Sequence, residues 1–219
     1  MSAQLAKVQA RTDYVEEVYR ILLDAISEGS IAPGTRIVQE EIAEQLSVSR
    51  SPVLQAFRLL KKDGLVEDAP GRGLQVTPLD IARVGHLYQF REALDGLAAR
   101  LAARQRVALD ESLIATGRKV SRGNDIKAMI EADMAFHGAI YAASGNPLIV
   151  ETAHLQWMHL RRVMGAVHRV AGQRRTIWDE HAAIAKAIAK GDEDLAASLS
   201  VRHLEAAREN LIRNMREQG

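Results

Sequence analysis

Residues 37–77 read IVQEEIAEQLSVSRSPVLQAFRLLKKDGLVEDAPGRGLQVT, and the punctuation of this stretch decides the fold of the amino-terminal part. Ile42, Ala43 and Leu46 recur at helical spacing, and the pattern stops at Ser47-Val48-Ser49. A second helix is expected from Ser51 as N-cap, with Pro52 at the first helical position, where a missing N–H does no harm. It carries Val53, Ala56, Phe57 and Leu60 on one face and stops at Gly64, a residue suited to a left-handed C-cap. Leu65-Val66 and Leu74-Gln75-Val76 flank Pro70-Gly71-Arg72-Gly73, the pattern of a short hairpin with an arginine at its tip. An ordinary helical hairpin could share the turn. The order of parts favours a winged helix-turn-helix that reads duplex DNA: helices at 13–28, 39–46 and 51–63, then the hairpin at once.

These residues resemble the amino-terminal domain of the GntR family of bacterial transcription regulators. The match runs through Ile31-Ala32-Pro33-Gly34-Thr35, Ile42-Ala43, Leu46 and Val48-Ser49-Arg50-Ser51-Pro52-Val53. It continues in Ala56, Arg58, Leu59, Gly64-Leu65-Val66 and Gly73. The chain departs from the family at Leu54 and Gln55, where an arginine and a glutamate are usual, and at Glu40, where some members are basic. An operator sequence cannot therefore be transferred from relatives. Arg50, Ser51, Arg58, Arg72 and Gly73 are the expected DNA-contacting residues, with Arg50 placed for base edges and Arg72 for phosphate.

Charge sets a limit on affinity. Residues 1–78 hold nine basic and eleven acidic side chains, whereas 47–78 hold five basic and three acidic. The positive surplus is local to the second helix and the wing. So lightly charged a module should bind weakly alone, and a homodimer reading two half-sites of an operator would restore affinity.

The rest of the chain fixes the class. At 219 residues with 47% hydrophobic content it can build a small and a medium domain, with the boundary expected near Pro78: 1–78 and 79–219. It has no apolar run long enough for a membrane span, and Met1 to Arg11 lacks the apolar core of a signal peptide, so a cytoplasmic protein is expected. With no cysteine, any metal must be held by histidine and carboxylate.

From Leu79 onward the pattern is helix after helix, at 79–104, 108–121, 125–143, 147–170, 174–190 and 192–216. Breaks are expected at Gly123-Asn124, Ser144-Gly145-Asn146-Pro147, Ala171-Gly172 and Gly191-Asp192. The expected fold is mainly α: a winged helix-turn-helix followed by an all-α bundle of about six helices.

Polar residues interrupt the apolar stripes of that bundle. Val84, Leu87, Leu94, Ala98 and Leu101 form a stripe whose missing member is Arg91. Ile126, Ile130 and Ile140 bracket Asp133 and His137, four residues apart. Ile177, Ile184 and Ile188 flank His181, and Leu195 and Leu199 lead to His203. Buried ionisable groups are costly unless paired or metal-bound. A lone core histidine is usually just hydrogen-bonded, but this set could hold one borderline divalent ion such as Zn²⁺, Ni²⁺ or Mn²⁺. His86, His154, His159 and His168 lack the pattern and are expected at the surface or behind the ligands as supports. Asp133 is the one acid the periodicity places on a core stripe, which leaves Arg91 for a ligand carboxylate, with Arg162 as the next candidate.

This half resembles the FCD ligand-binding domain of one GntR subfamily. The match includes Arg91-Glu92-Ala93-Leu94, Ala98-Ala99, Asp133, Phe136-His137, Ser144-Gly145-Asn146-Pro147-Leu148, His181, Gly191-Asp192 and His203. The resemblance implies a metal held by Asp133, His137, His181 and His203, a small carboxylate effector beside it, a homodimer and the shorter, six-helix branch. The expected function is thus effector-controlled DNA binding, with repression the commoner outcome. Two rivals are a purely structural metal and a metal-dependent hydrolase, although Glu131 and Glu151 lie off the Asp133/His137 face where a general base would be wanted.

Overall fold

The computed structural model describes residues 14–168 and 174–218. The chain divides into two compact units, one holding residues up to 24 with 34–77 and the other holding 25–33 with 78–219. The expected break at Ala171-Gly172 and the His168 side chain lie outside the described residues.

The first unit contains α1 (Tyr14–Glu28, shared with the second unit), β1 (Arg36–Ile37), α2 (Gln39–Gln45), α3 (Arg50–Lys62), β2 (Val66–Asp68) and β3 (Leu74–Val76). The strands form an antiparallel sheet in the order β1-β3-β2. The hairpin is the expected one, closed by Ala69 N–H donating to the Gly73 carbonyl, with Gly71 and Gly73 at positive φ. Its third strand, β1, is too short for a pattern of alternation to announce. Val18, Leu22, Val53, Phe57, Leu60 and Val76 are buried, so α1, α3 and the sheet share a core.

The second helix of the pair starts earlier than expected. Ser49, not Ser51, occupies the N-cap position, and Arg50 opens α3. Pro52 falls third in the helix, still within the turn whose N–H groups have no intrahelical partner. Gly64 has φ +71° and closes the helix as anticipated. Ser47, at φ +53°, makes the tight turn between α2 and α3.

The second unit holds α4 (Ile81–Arg104), α5 (Glu111–Val120), α6 (Ile126–Ala143), α7 (Pro147–His168), α8 (Arg174–Lys190) and α9 (Glu193–Gln218). Short acceptor side chains set five of the six starts. Asp80, Asp110, Asp125, Asn146 and Asp192 accept from the backbone N–H of Arg83, Ser112, Ala128, Leu148 and Leu195. Asp110 thereby delays α5 by three residues relative to the expected start at 108. Gly145 and Gly191 take positive φ at the ends of α6 and α8, as expected.

Helix α4 runs through the middle, packed chiefly along α9 and also against α6 and α8. Ala98, Ala99, Ala102 and Ala103 are buried in its carboxy-terminal half, where small side chains let neighbours approach. At Gly96 an added Cβ would lie 3.0 Å from Val201. The buried stripe of α4 differs from the expected one. It runs through Val84, Tyr88, Arg91, Asp95, Ala98 and Ala102, while Leu87, Leu94 and Leu101 are only partly buried. Tyr88 and Asp95 thus take core places that a count of leucines misses.

Candidate functional site

Asp133 and His137 lie one turn apart on α6, His181 on α8 and His203 on α9, and the fold brings all four together. All are buried, with His181 fully enclosed and His137 1% exposed. One ring nitrogen from each of His137, His181 and His203 lies within 4.8 Å of the others. His181 Nε2 is 3.1 Å from His203 Nε2 and 3.5 Å from Asp133 Oδ1, and His137 Nε2 is 3.8 Å from Asp133 Oδ2.

These distances fit a metal. Two nitrogens each about 2.1 Å from one ion, at octahedral or tetrahedral angles, stand roughly 3.0–3.4 Å apart. The histidine pair already has that separation, and the carboxylate needs only a small adjustment. Three imidazoles and one carboxylate form a donor set for a borderline divalent ion.

A second layer orients the rings. His137 Nδ1 lies 2.9 Å from Asp95 Oδ2, and His203 Nδ1 lies 2.6 Å from Glu180 Oε2. Nδ1–H donated to Glu180 leaves the His203 Nε2 lone pair for the centre, while His137 Nδ1 stands against Asp95 as a close contact without hydrogen-bond geometry. Burial and the neighbouring Arg91 guanidinium hold the His137 pKa below its ordinary value, which keeps the ring neutral and able to ligate. Phe136 stacks on His181 with centroids 4.2 Å apart, and Trp178 meets it edge-on at 4.7 Å. Trp178 is itself seated on Gly117, where a Cβ would lie 2.1 Å from the indole.

Arg91 sits in this network, as its place in the stripe implies, and is 3% exposed. The expectation that Asp133 is the single core acid is corrected by Asp95. Asp95 is 1% exposed, 3.5 Å from Arg91 Nε, and accepts a short hydrogen bond from Tyr141 Oη. Burial pushes the Asp95 pKa up, but Arg91, His137 and Tyr141 together hold it below its ordinary value. The signal was available as an i,i+4 spacing from Arg91. Arg91 still has capacity: its Nε and one terminal nitrogen are buried without a hydrogen bond, and Asp133 is 4.0 Å away. Arg162 is also buried, on α7. Of the remaining histidines, His86 and His154 are exposed and His159 is half-buried. Glu131 and Glu151 are exposed.

In the first unit, Arg50, Ser51, Arg58, Arg72 and Gly73 are all exposed on α3 and the wing. Arg50 is 3.1 Å from Glu40, and its carbonyl accepts from Gln39. Sequence reasoning missed Arg36 on β1. It donates to the Pro70 and Arg72 carbonyls at 3.1 and 2.7 Å and so ties the wing tip to the sheet.

Residues 14–76 match the bacterial regulatory proteins of the gntR family, and residues 86–206 match the FCD domain. The chain belongs to the GntR family and carries an FCD domain. An uncharacterized HTH-type transcriptional regulator from Streptomyces ambofaciens is 30% identical, over 95% of this chain and 89% of its own. The HTH-type transcriptional repressor RspR of Escherichia coli K12 is 26% identical, over 93% and 90%. Among solved structures, a GntR transcriptional regulator from Rhodococcus sp. RHA1 superposes with TM-score 0.72 at 28% identity, over 91% and 98%. This GntR protein is therefore a DNA-binding transcription regulator and not an enzyme. Among the described residues its FCD part holds the six helices α4–α9. No described helix is long and apolar enough to cross a membrane.

Proposed function

We propose that the protein is a repressor whose hold on a double-stranded operator is set by a small carboxylate metabolite bound beside a divalent ion in the FCD domain. The observation that carries this reading is Arg91. It is a buried guanidinium with two N–H-bearing nitrogens left without hydrogen bonds, 4.0 Å from Asp133, one of the four convergent residues Asp133, His137, His181 and His203. Leaving such donors unmet is expensive, and a carboxylate is the group their geometry suits.

In this reading Asp133 and the three histidines hold Zn²⁺, Ni²⁺ or Mn²⁺, and the ion supplies a positive centre for the remaining oxygen atoms of the effector. Asp95 lies against both His137 Nδ1 and Arg91, and Glu180 holds His203 by its Nδ1. Arg162 is the second cation candidate for a longer or doubly charged effector. The metabolite can alter DNA affinity only by binding the DNA-competent and incompetent states unequally. Arg50, Ser51, Arg58, Arg72 and Gly73 form the proposed DNA contacts. A homodimer is proposed because one lightly charged module needs a second half-site, and α4 presents Phe90 and Leu97 exposed and seven residues apart. The name of the RspR relative supports repression as the direction.

The test is a metabolite screen by thermal shift on metal-loaded protein, with operator binding read for every hit. A carboxylate that stabilises the parent, releases DNA and loses both effects in Arg91→Lys supports the reading. A carboxylate response that survives in Arg91→Lys makes Arg91 a structural ion-pair residue and moves the search for the anchor to Arg162, whereas metal dependence with no carboxylate response assigns the metal a purely structural role.

A further inference from the structure

Apart from the metal ligands, a hollow of about 470 Å³ opens between α5 and α8, a volume within the range of small-molecule pockets. Its apolar wall is made by Ala115, Ala182, Ala185, Ala189 and Ile114, with Phe136 among the lining residues. Neither Arg91 nor any of Asp133, His137, His181 and His203 lines it. The hollow exists because α8 offers alanine at three positions facing α5, where longer aliphatics would fill the space.

Four charged residues also line this hollow: Asp110, Glu111, Arg118 and Lys186. Three of them serve the fold. Asp110 caps α5, and Glu111 lies in its first turn, where the helix dipole favours an acid. Arg118 donates to Asp179 at 2.7 Å. Lys186 is exposed and makes no ion pair or hydrogen bond among the described residues. A hollow with one apolar wall and one uncommitted cation at its edge fits a ligand with an apolar body and one anionic head. Phe136 extends the consequence, because this fully buried ring backs the hollow and is the ring stacked on His181.

We propose that the hollow is a second ligand site, for an amphipathic monocarboxylate, and that its occupancy is felt at the metal set through the Phe136–His181 stack. The apolar body lies against the alanines, with the buried Phe136 behind them, and the carboxylate meets Lys186. A body pressing on that wall shifts the ring behind it, against which His181 is held, so ligand and metal affinities become linked and change by the same factor. The site itself stands independently of the metal reading; the coupling rests on it.

The experiment titrates octanoate into the full-length chain, both zinc-loaded and chelator-stripped, by calorimetry, with octylamine as the charge-inverted control. One octanoate per chain is expected. Lys186→Glu should weaken it about two- to fivefold, in line with the loss of an exposed charge pair, and octylamine should bind the parent less well by a similar factor. Ala189→Trp, at an exposed position, should block the chamber, with Ala185→Leu as a second blocking variant. Saturating octanoate should shift the zinc affinity of the parent but not of Ala189→Trp. Absence of saturable binding in both metal states, or binding indifferent to all three substitutions, overturns the site. Binding that behaves as expected while zinc affinity stays fixed overturns the coupling. Failure of the parent to bind zinc at all counts against the metal reading, and the stripped-chain titration still decides the site.

Discussion

Arg50 and Arg91 carry the same side chain in opposite settings. The Arg50 side chain is 68% exposed and 3.1 Å from Glu40, itself 54% exposed. The Arg91 side chain is 4% exposed and shares Asp95 with His137 and Tyr141. An exposed pair is worth about 0–1 kcal/mol, so Arg50 can exchange Glu40 for a nucleic-acid partner at little expense. A buried charge deprived of its partner costs about 3–5 kcal/mol, so Arg91 and its neighbours cannot be rearranged without a replacement anion. On the proposed DNA contacts, the winged surface should therefore be functionally sensitive and structurally tolerant. In the FCD interior stability and function are tied together.

The largest expected effect breaks that contrast if it fails. Asp95→Ala strands Arg91 and leaves His137 Nδ1 unsupported, and should cost about 3–5 kcal/mol in chemical denaturation. A loss under about 1 kcal/mol would mean that the interior network is no more binding than a surface pair. Gly117→Ala comes next. Its Cβ would collide with the Trp178 indole, an overpacking error of about 1–3 kcal/mol, and the displaced indole should change its fluorescence. An unshifted spectrum at parental stability would show that Trp178 is not held against α5.

On the other side of the comparison, Arg36→Ala should leave stability within about 0.5 kcal/mol while weakening operator binding about fivefold, because the wing tip loses two hydrogen bonds. Parental binding would show that the wing keeps its shape without Arg36. The smallest effect is that of Glu40→Gln, which frees Arg50. Gel-shift assays should show slightly tighter DNA binding at low salt and none of that gain once salt screens the pair. A gain that persists at high salt would assign Glu40 a direct repulsion of DNA instead.

The two regions were also unequally legible. The winged unit announces itself through local chemistry: Gly64, Gly71 and Gly73 each take the positive φ that their place in the sequence suggests. What escaped there was small and local, the start of α3 at Arg50 and the two-residue strand β1. In the bundle, Asp133 and His137 were visible as an i,i+4 pair, and His181 and His203 as interruptions of apolar stripes. Asp95 was not, because α4 was phased on its leucines, whereas long side chains at the edge of a buried face can remain half-exposed and leave its centre to Tyr88 and Asp95. Glu180 was invisible for another reason. Its contact with His203 spans α8 and α9, and no spacing within one helix encodes it. The hollow between α5 and α8 likewise depends on which faces meet.

The most direct test of the metal reading is a calorimetric titration of chelator-stripped protein with Zn²⁺, Ni²⁺ and Mn²⁺, run beside His181→Ala and the double variant His137→Ala/His203→Ala. The account predicts one ion per parent chain, a melting temperature that rises with occupancy, and loss of both in the variants, since binding energy at such a site is also folding energy. A stripped parent that takes up none of the three ions, or variants that bind as tightly as the parent, would contradict it.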